Sequence, residues 1–247
     1  MKKKRLDVVL KERGLAQSRE RAQALILSGN VLVNDEPQTK AGFLVDPEAE
    51  IRLREKDHPY VSRGALKLKA ALEEFKIDVK DKKTLDVGAS TGGFTEILLE
   101  KGAAIVTALD VGHSQLDWKI RSHPKVKVIE KFNAKELSVE KIGYQPDIIV
   151  VDVSFISLTK LASALKSVSH TSTVWVTLIK PQFEVGREHI EKGGIVKDVS
   201  AREGAIEEVT REFQTHGILR RGLITSPITG TDGNIEYLAY WTSDISA

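Results

Sequence analysis

The chain contains no cysteine among its 247 residues. This absence excludes disulfide bonds, thiolate metal sites and cysteine nucleophiles, and it is typical of proteins from a reducing cytoplasm. The six histidines are scattered and form no H-E-x-x-H pattern. The sequence therefore predicts a cytoplasmic protein without a metal centre.

Long apolar runs are also missing. Hydrophobic residues make up 41% of the chain, enough for a core. However, no stretch approaches the roughly 20 apolar residues of a membrane-spanning helix. The basic start, MKKKR, is similar to the first part of a signal peptide, but Asp7, Lys11, Glu12 and Arg13 interrupt the apolar segment that should follow. We expect neither an export signal nor a membrane partner.

The net charge is only +2, but positive charge is concentrated near the start of the chain. Residues 1–34 contain eight Lys and Arg side chains against three acidic ones. A local excess of basic side chains is typical of proteins that bind a polyanion. The charge pattern therefore indicates a polyanionic partner for this region.

One stretch organises the larger part of the chain, residues 85–99 (LDVGASTGGFTEILL). Apolar residues end a predicted strand, small residues and glycines follow, and a helical pattern resumes at Thr95 and stops at Gly102. Glycine allows left-handed backbone angles and a close approach to a ligand, and the helix start offers unpaired N–H groups. The spacing differs from the dinucleotide fingerprint G-x-G-x-x-G, which argues against a nicotinamide oxidoreductase.

Strand and helix patterns alternate from residue 84 onward. This alternation predicts an α/β fold with a doubly wound, mostly parallel sheet of seven strands. After the first strand, further strands are expected at residues 104–109, 126–129, 147–151 and 174–179, followed by a helix at 201–216 and a hairpin formed by 219–226 and 234–241.

Glycine or polar residues follow five of these strands: Gly88, Asp110, Asn133, Asp152 and Lys180. Ligands bind at the carboxyl ends of the strands in such sheets, so we expect these residues to share one site. Asp110 lies where an acidic residue can accept both hydroxyls of a ribose. The glycine-containing segment 183–200 is expected to form a mobile loop over this edge.

The first 58 residues predict a small α+β domain. Apolar spacing indicates a helix at residues 5–13, and a second helix capped by Ser18 and ended by Gly29. A strand at 31–33, a turn at 34–37 and a strand around 51–53 would form a β-ribbon. A polar linker at about 55–61 then separates residues 1–58 from residues 59–247.

The N-terminal segment resembles the S4 RNA-binding domain over about residues 5–54. The similarity rests on residues 13–19 (RGLAQSR), on Ala22 and on residues 26–34 (ILSGNVLVN). It implies that Lys4, Arg5, Arg13, Arg19 and Arg21 face RNA phosphates. We add Arg63, at the start of the second domain, to this RNA-binding set.

The second domain resembles Rossmann-like methyltransferases that use S-adenosylmethionine. The residues implied to bind the cofactor are Asp86, Gly88, Ala89, Ser90, Thr91, Gly92, Gly93, Phe94, Asp110, Val111, Asn133 and Asp152. Lys67, Asp152, Lys180 and Glu236 match the Lys-Asp-Lys-Glu catalytic tetrad of FtsJ-like RNA ribose 2'-O-methyltransferases.

Four motifs in order narrow the resemblance to hemolysin-A-like (TlyA-type) ribosomal RNA methyltransferases, which join an S4 domain to this catalytic domain. The motifs are residues 62–68 (SRGALKL), 152–158 (DVSFISL), 180–186 (KPQFEVG) and 233–237 (GNIEY). The resemblance implies methylation of a cytidine 2'-hydroxyl in ribosomal RNA. The partner would be ribosomal RNA or a ribosomal subunit, with no obligate protein partner.

The chemistry can be argued from the residue types. A ribose hydroxyl is a poor nucleophile at neutral pH, so the site must remove its proton as the methyl group arrives. Lys180 is the best candidate for this task. Lys67 and the sulfonium of the donor favour its neutral amine, whereas Asp152 and Glu236 favour the charged form and orient both lysines. Proton removal and charge stabilisation both remain open roles.

Two further functions are compatible with the sequence. One is an RNA-binding S4 protein with an inactive methyltransferase fold, against which the complete set of tetrad residues argues. The other is a membrane-active hemolysin, as the family name suggests. No predicted helix combines a large apolar face with a basic one, which argues against the second.

Overall fold

The computed structural model describes residues 3–27, 29–53, 58–230 and 233–243. The chain divides into two compact units, Met1–Pro59 and Tyr60–Ala247. Each unit has a hydrophobic core of its own. Residues 55–57 of the expected linker lie outside the described residues.

Within the described residues, the N-terminal unit contains two helices and five short strands. In chain order they are β1 (Lys4–Arg5), α1 (Leu6–Glu12), α2 (Arg19–Leu27), β2 (Val31–Val33), β3 (Glu36–Gln38), β4 (Leu44–Val45) and β5 (Ile51–Leu53). The hydroxyl of Ser18 accepts a hydrogen bond from the Arg21 backbone N–H (3.1 Å). This bond caps the start of α2, as the sequence predicts.

Strand β2 is central in the three-stranded sheet of this unit and pairs antiparallel with β3 and β5. Pro37, expected in the turn after β2, lies instead in β3, opposite Leu32. The turn is made by Asn34 and Asp35, which have φ angles of 49° and 65°. Proline is tolerated in β3 because an edge strand does not require every backbone N–H.

The C-terminal unit alternates strands and helices. Its elements are α3 (Gly64–Glu74), β6 (Lys83–Val87), α4 (Gly93–Glu100), β7 (Ile105–Leu109), α5 (Trp118–Arg121), β8 (Val126–Ile129), α6 (Val139–Ile142), β9 (Ile148–Val151), α7 (Ala162–Ser167), β10 (Val174–Ile179), α8 (Pro181–Glu184), α9 (Val199–Thr215), β11 (Ile218–Thr225) and β12 (Tyr237–Ser243).

The seven strands form one sheet in the order β11-β12-β10-β9-β6-β7-β8. The five strands from β10 to β8 in this order are parallel, and β12 pairs antiparallel with β10 and β11. The doubly wound, mostly parallel sheet is therefore confirmed. The chain runs from β6 outward to β8 and then returns to the other side of β6 as β9. This reversal creates the crevice where α/β sheets bind their ligands.

Strand β9 shows how both faces of the sheet are covered. Ile149 and Val151 pack in a cluster with α7 and α9, whereas Ile148 and Val150 pack in a second cluster with α3 and α4. Successive side chains of a strand point to opposite faces. A continuous apolar run is therefore what a central parallel strand requires.

Some predicted bounds differ from the structure. Helix α4 begins at Gly93 rather than Thr95. Asn234 and Glu236, expected within the last strand, precede β12, which begins at Tyr237. The segment expected to be a loop, residues 183–200, contains a short 3-10 turn, Arg187–His189, and a β-bridge between Glu191 and Ile195.

Candidate active site

The four tetrad residues come from four different elements that meet at the carboxyl edge of the sheet. Asp152 and Lys180 directly follow β9 and β10, and Glu236 directly precedes β12. Ile179 pairs with Tyr237 in the antiparallel ladder, so Lys180 and Glu236 are the next opposite positions of the same ladder. Sheet register therefore brings the backbones of these two residues close together.

Two ion pairs occupy this edge. The Lys180 Nζ lies 2.6 Å from Asp152 Oδ1, and it also donates to the Ser154 hydroxyl at 2.9 Å. The Lys67 Nζ donates to Glu236 Oε2 at 2.5 Å. Lys67, Lys180 and Glu236 are at most 8% exposed. Lysine and glutamate are almost never buried to this extent unless they are paired.

Lys67 lies on α3, which packs closely against the rest of the C-terminal unit. Ala65, Leu68 and Ala71 lie in the cluster that also holds α4. Lys69, two residues further on, donates to the Tyr60 hydroxyl at 3.0 Å instead. Side chains two residues apart do not share a helix face, so only Lys67 turns towards Glu236. Arg63 lies one turn before Lys67 and therefore on the same side of α3.

The glycine turn after β6 packs tightly against the rest of the chain. Gly88 has a φ of +87°, and a Cβ there would lie 2.3 Å from the carbonyl oxygen of Asp152. Gly92 has a φ of +100°, and its Cβ would meet the side chain of Leu116 at 2.9 Å. We expected glycine here to make room for a ligand. The structure adds a second reason for glycine, because Gly88 also makes room for the backbone that follows β9.

The carboxylate of Asp110 holds the turn in place. It accepts the backbone N–H groups of Ser90 at 2.8 Å and Gly112 at 2.7 Å, one on each oxygen. The Asp110 carbonyl accepts the N–H of Phe132 at 3.2 Å, which brings the segment before Asn133 alongside. Each Asp110 oxygen keeps a second lone pair for a ligand. Next to it, Val111 is 76% exposed.

The other residues expected at the cofactor site serve the fold as well. Asn133 Oδ1 accepts the N–H of Lys135 at 3.1 Å and caps a 3-10 turn. The Thr91 carbonyl accepts the N–H of Asp117. The Ala89 and Phe94 side chains are buried in separate hydrophobic clusters. A Cβ at residue 93 would clash with the Ser62 hydroxyl, so the glycine there leaves room for Ser62.

Asp86 is fully buried at the end of β6, beneath the turn. Its Oδ2 accepts the Thr95 hydroxyl at 2.6 Å, and its Oδ1 has no hydrogen-bond partner. The pKa of Asp86 is raised to about 7, mainly by burial and also by the negative charge of Asp152. The hydrogen bond from Thr95 lowers the pKa but does not offset these two effects. An unpaired buried acceptor favours a donor or a positive charge beside it.

This shifted pKa predicts how stability depends on pH. Because the folded carboxyl holds its proton up to a higher pH than the unfolded one, stability falls as pH rises from about 4 to about 7. Between pH 5 and pH 8, the free energy of unfolding of the wild type should fall by about 3 kcal/mol because of Asp86. The Asp86→Asn variant should not show this fall. Denaturant titrations of both proteins at the two pH values check this. The same pH dependence in both would contradict it.

The predicted RNA-binding side chains of the N-terminal unit all make contacts within that unit. Lys4 pairs with Glu12 at 2.8 Å. Arg13 donates to the carbonyls of Pro47 and Ala49, which holds the chain before β5 in place. Arg5 and Arg19 both form ion pairs with Asp7, and Arg21 donates to the His58 carbonyl at 3.2 Å.

Phe183, near Lys180, and Phe155, which contacts Phe183, were not assigned a role from the sequence. Phe155 is 92% exposed, has a left-handed φ of 64°, and its ring lies 5.2 Å from the ring of Phe183. The Lys180 Nζ lies 5.9 Å from the Phe183 ring. Both residues lie in motifs that carry the family resemblance, which was the available signal.

Asn234 is a second residue whose task the sequence did not reveal. Its amide donates to the Gly194 carbonyl at 2.8 Å and accepts the Val196 N–H at 3.0 Å. It is almost completely buried. Asn234 therefore ties the segment after α8 to the chain that leads into Glu236.

Two family models match the chain. The FtsJ-like methyltransferase model matches residues 60–242, and the S4 domain model matches residues 4–51. The 16S/23S rRNA (cytidine-2'-O)-methyltransferase TlyA of Mycobacterium tuberculosis is 44% identical over 96% of this chain and 88% of its own. Hemolysin A of Brachyspira hyodysenteriae is 43% identical over 96% of this chain and 99% of its own. A solved structure described as a hemolysin from Streptococcus thermophilus has 41% identity and a TM-score of 0.78, and it covers this whole chain and 90% of that one.

Proposed function

The chain belongs to the FtsJ-like methyltransferase family and carries an S4 domain, and we propose that it methylates a cytidine 2'-hydroxyl of ribosomal RNA with S-adenosylmethionine. The name of the mycobacterial relative supports the substrate, since it specifies cytidine 2'-O-methylation of ribosomal RNA. We place the reaction in the cytoplasm, where ribosomes are found.

The observation that carries the proposal is the pair of buried lysine–carboxylate contacts at one edge of the sheet. Two positive and two negative groups make this set of four side chains close to neutral. As an ammonium, Lys180 stabilises the negative charge that develops on the ribose oxygen. As a free amine, it accepts the hydroxyl proton. In both roles Asp152 and Ser154 fix where the Lys180 Nζ points.

The residues around the switch point between β6 and β9 fit the methyl donor. The unpaired Oδ1 of Asp86 and its neighbour Asp152 suit a ligand that carries positive charge, and Asp110 suits the hydroxyls of a ribose. Asp110, Val111 and Asn133 would hold the nucleoside part. When bound, S-adenosylmethionine supplies an electrophilic methyl group on a sulfonium. The protein then has to hold hydroxyl and methyl in line, which is worth roughly 7–11 kcal/mol in favourable cases.

The N-terminal unit would supply RNA affinity. Arg5 and Arg19 are about half exposed, at 49% and 48% of their side chains. Arginine is well suited to bind phosphate because its planar N–H groups match phosphate oxygens. We assign residues 1–58 to RNA binding and residues 59–247 to methyl transfer.

The name of the relative Hemolysin A raises membrane lysis as a second candidate. Among the helices of the described residues, none has the length and apolar character needed to cross a bilayer. Dye release from liposomes, at protein concentrations that saturate RNA, tests this candidate separately.

Labelled methyl donor tests the proposed function. The protein is incubated with tritiated S-adenosylmethionine and, in parallel, with each purified ribosomal subunit and with naked 16S and 23S RNA. We expect label in RNA from at least one of these substrates. Donor binding without incorporation into any of them would contradict methyl transfer and favour the inactive RNA-binding alternative.

The exposed ring of Phe155 should hold the target base by stacking. Stacking of a base on an aromatic ring is worth about 1–3 kcal/mol, so Phe155→Ala should lower kcat/KM for RNA about 5- to 150-fold. Affinity for the methyl donor should not change. Leu223→Ala, which trims an exposed side chain on the distant edge strand β11, serves as the control. Equal kcat/KM in Phe155→Ala and the control would contradict this role.

A further inference from the structure

A buried carboxylate lies in the segment of residues 1–34, where basic side chains are in excess. Asp7 is completely buried, and four hydrogen bonds reach it from three side chains. Arg5 donates through Nε and Nη2, each at 3.0 Å, Arg19 donates through Nη2 at 3.1 Å, and Gln23 donates at 2.9 Å. The Arg5 guanidinium, with Gln23 and Arg19, holds the pKa of Asp7 far below its usual range. Asp7 therefore stays charged.

Asp7 joins two arginines that come from different elements. Arg5 lies in β1 and Arg19 begins α2, so the two arginines are not held together by being close in sequence. Two guanidinium groups repel each other, and the shared carboxylate offsets this repulsion. Each guanidinium has five N–H groups and gives at most two of them to Asp7. About half of each side chain remains exposed, with donors left for a ligand.

We infer that Asp7 is a positioning residue for RNA recognition, which holds Arg5 and Arg19 together as one preorganised phosphate-binding site. The inference rests on the proposed function of this unit. A negative charge near an RNA-binding surface opposes binding by simple electrostatics. If Asp7 acts through the arginines instead, removing its charge must weaken binding. The two accounts therefore predict opposite changes in RNA affinity when the charge of Asp7 is removed.

Asp7→Asn in the full-length chain separates these accounts. Binding to transcribed 23S RNA is measured at several salt concentrations. Freeing two long side chains should weaken binding about tenfold. The slope of log K against log salt should also fall, by roughly 0.7–0.9 for each phosphate that the arginines no longer bind. Unchanged or tighter binding by Asp7→Asn would overturn the inference.

Asp35→Asn is the matched control for charge. Asp35 lies in the same unit, pairs with Arg52, and is 68% exposed at its side chain. Asparagine also tolerates its left-handed φ of 65°. This variant removes the same charge without touching Arg5 or Arg19. Its RNA binding should stay equal or become tighter, and weakening equal to that of Asp7→Asn would overturn the inference.

Gln23→Ala controls for stability, because it removes one hydrogen bond to Asp7 and leaves both arginine contacts. It should lower the unfolding midpoint without changing the salt slope. In Arg5→Ala/Arg19→Ala, adding Asp7→Asn should not weaken RNA binding further, and a further tenfold loss would contradict the positioning role. If the wild-type chain itself fails to bind RNA, the proposed function fails. If it binds and Asp7→Asn binds equally, only this inference fails.

Discussion

We expect the Lys180→Ala variant to lose methyl transfer but to bind the methyl donor and RNA as before. Proton transfer by a positioned side chain contributes typically 10²- to 10⁴-fold, so we expect the single-turnover rate to fall by about this factor. The amine is held within contact distance of Asp152 and Ser154, at the edge where the tetrad residues meet. Removing it leaves neither a proton acceptor nor a positive charge at that position. Donor affinity by calorimetry and RNA affinity by gel shift should stay within a few fold.

Lys192→Ala is the matched control for this prediction. It removes an exposed lysine from the nearby segment after α8. The rate of this variant should equal that of the wild type. A single-turnover rate of Lys180→Ala within tenfold of the wild-type rate would contradict a catalytic role for Lys180.

Lys67→Met destabilises the protein and inactivates it at the same time. Its partner Glu236 is 3% exposed, so the substitution leaves a buried carboxylate without a counter-charge. Breaking a buried pair in this way costs about 3–5 kcal/mol. We expect a correspondingly lower midpoint in denaturant titrations. Methyl transfer should also fall, because Glu236 and Lys180 each adjoin the last pair of the strand ladder, Tyr237 and Ile179.

The double variant Lys67→Met/Glu236→Gln separates stability from catalysis. It removes both charges of the pair, so most of the stability should return. Activity should not return, because the site then lacks both the Lys67 ammonium and the Glu236 carboxylate. Full activity in the double variant, or wild-type stability in Lys67→Met alone, would contradict this account.

Most of the sheet could be predicted because central parallel strands carry an unmistakable pattern. The strand expected at residues 174–179 matches the central strand β10 at both ends, and the strand expected at 126–129 matches the edge strand β8. Apolar runs reveal a strand that is buried on both faces, and glycine reveals where it turns. Helix and strand ends were less predictable. Asn234 and Glu236 follow the alternating pattern of a strand, yet their side chains serve contacts outside the sheet.

The pairing inside the site could not be derived from sequence spacing. Lys67 and Glu236 are 169 positions apart, and their contact depends on the docking of α3 near the start of β12. One constraint on Gly88 was also hidden, because the carbonyl that a Cβ would strike belongs to Asp152, which follows β9, a strand reached only after the chain reverses.

Charge counting had a similar limit in the N-terminal unit. The excess of basic side chains indicated a polyanionic partner, but Asp7 entered that count only as an opposing charge. Asp7 lies in α1, and its burial between Arg5 and Arg19 depends on the tertiary packing of α1 against α2. A sequence pattern reports how many charges a segment holds and not which of them share a hydrogen bond.

The central claim is that this edge of the sheet delivers a methyl group to a ribose oxygen. The most direct test is the position of the label in the RNA product after alkaline hydrolysis. A 2'-O-methyl group blocks alkaline cleavage of the adjacent phosphodiester bond, so we predict label in alkali-resistant dinucleotides that contain cytidine. Label released in mononucleotides would show base methylation and would contradict the account.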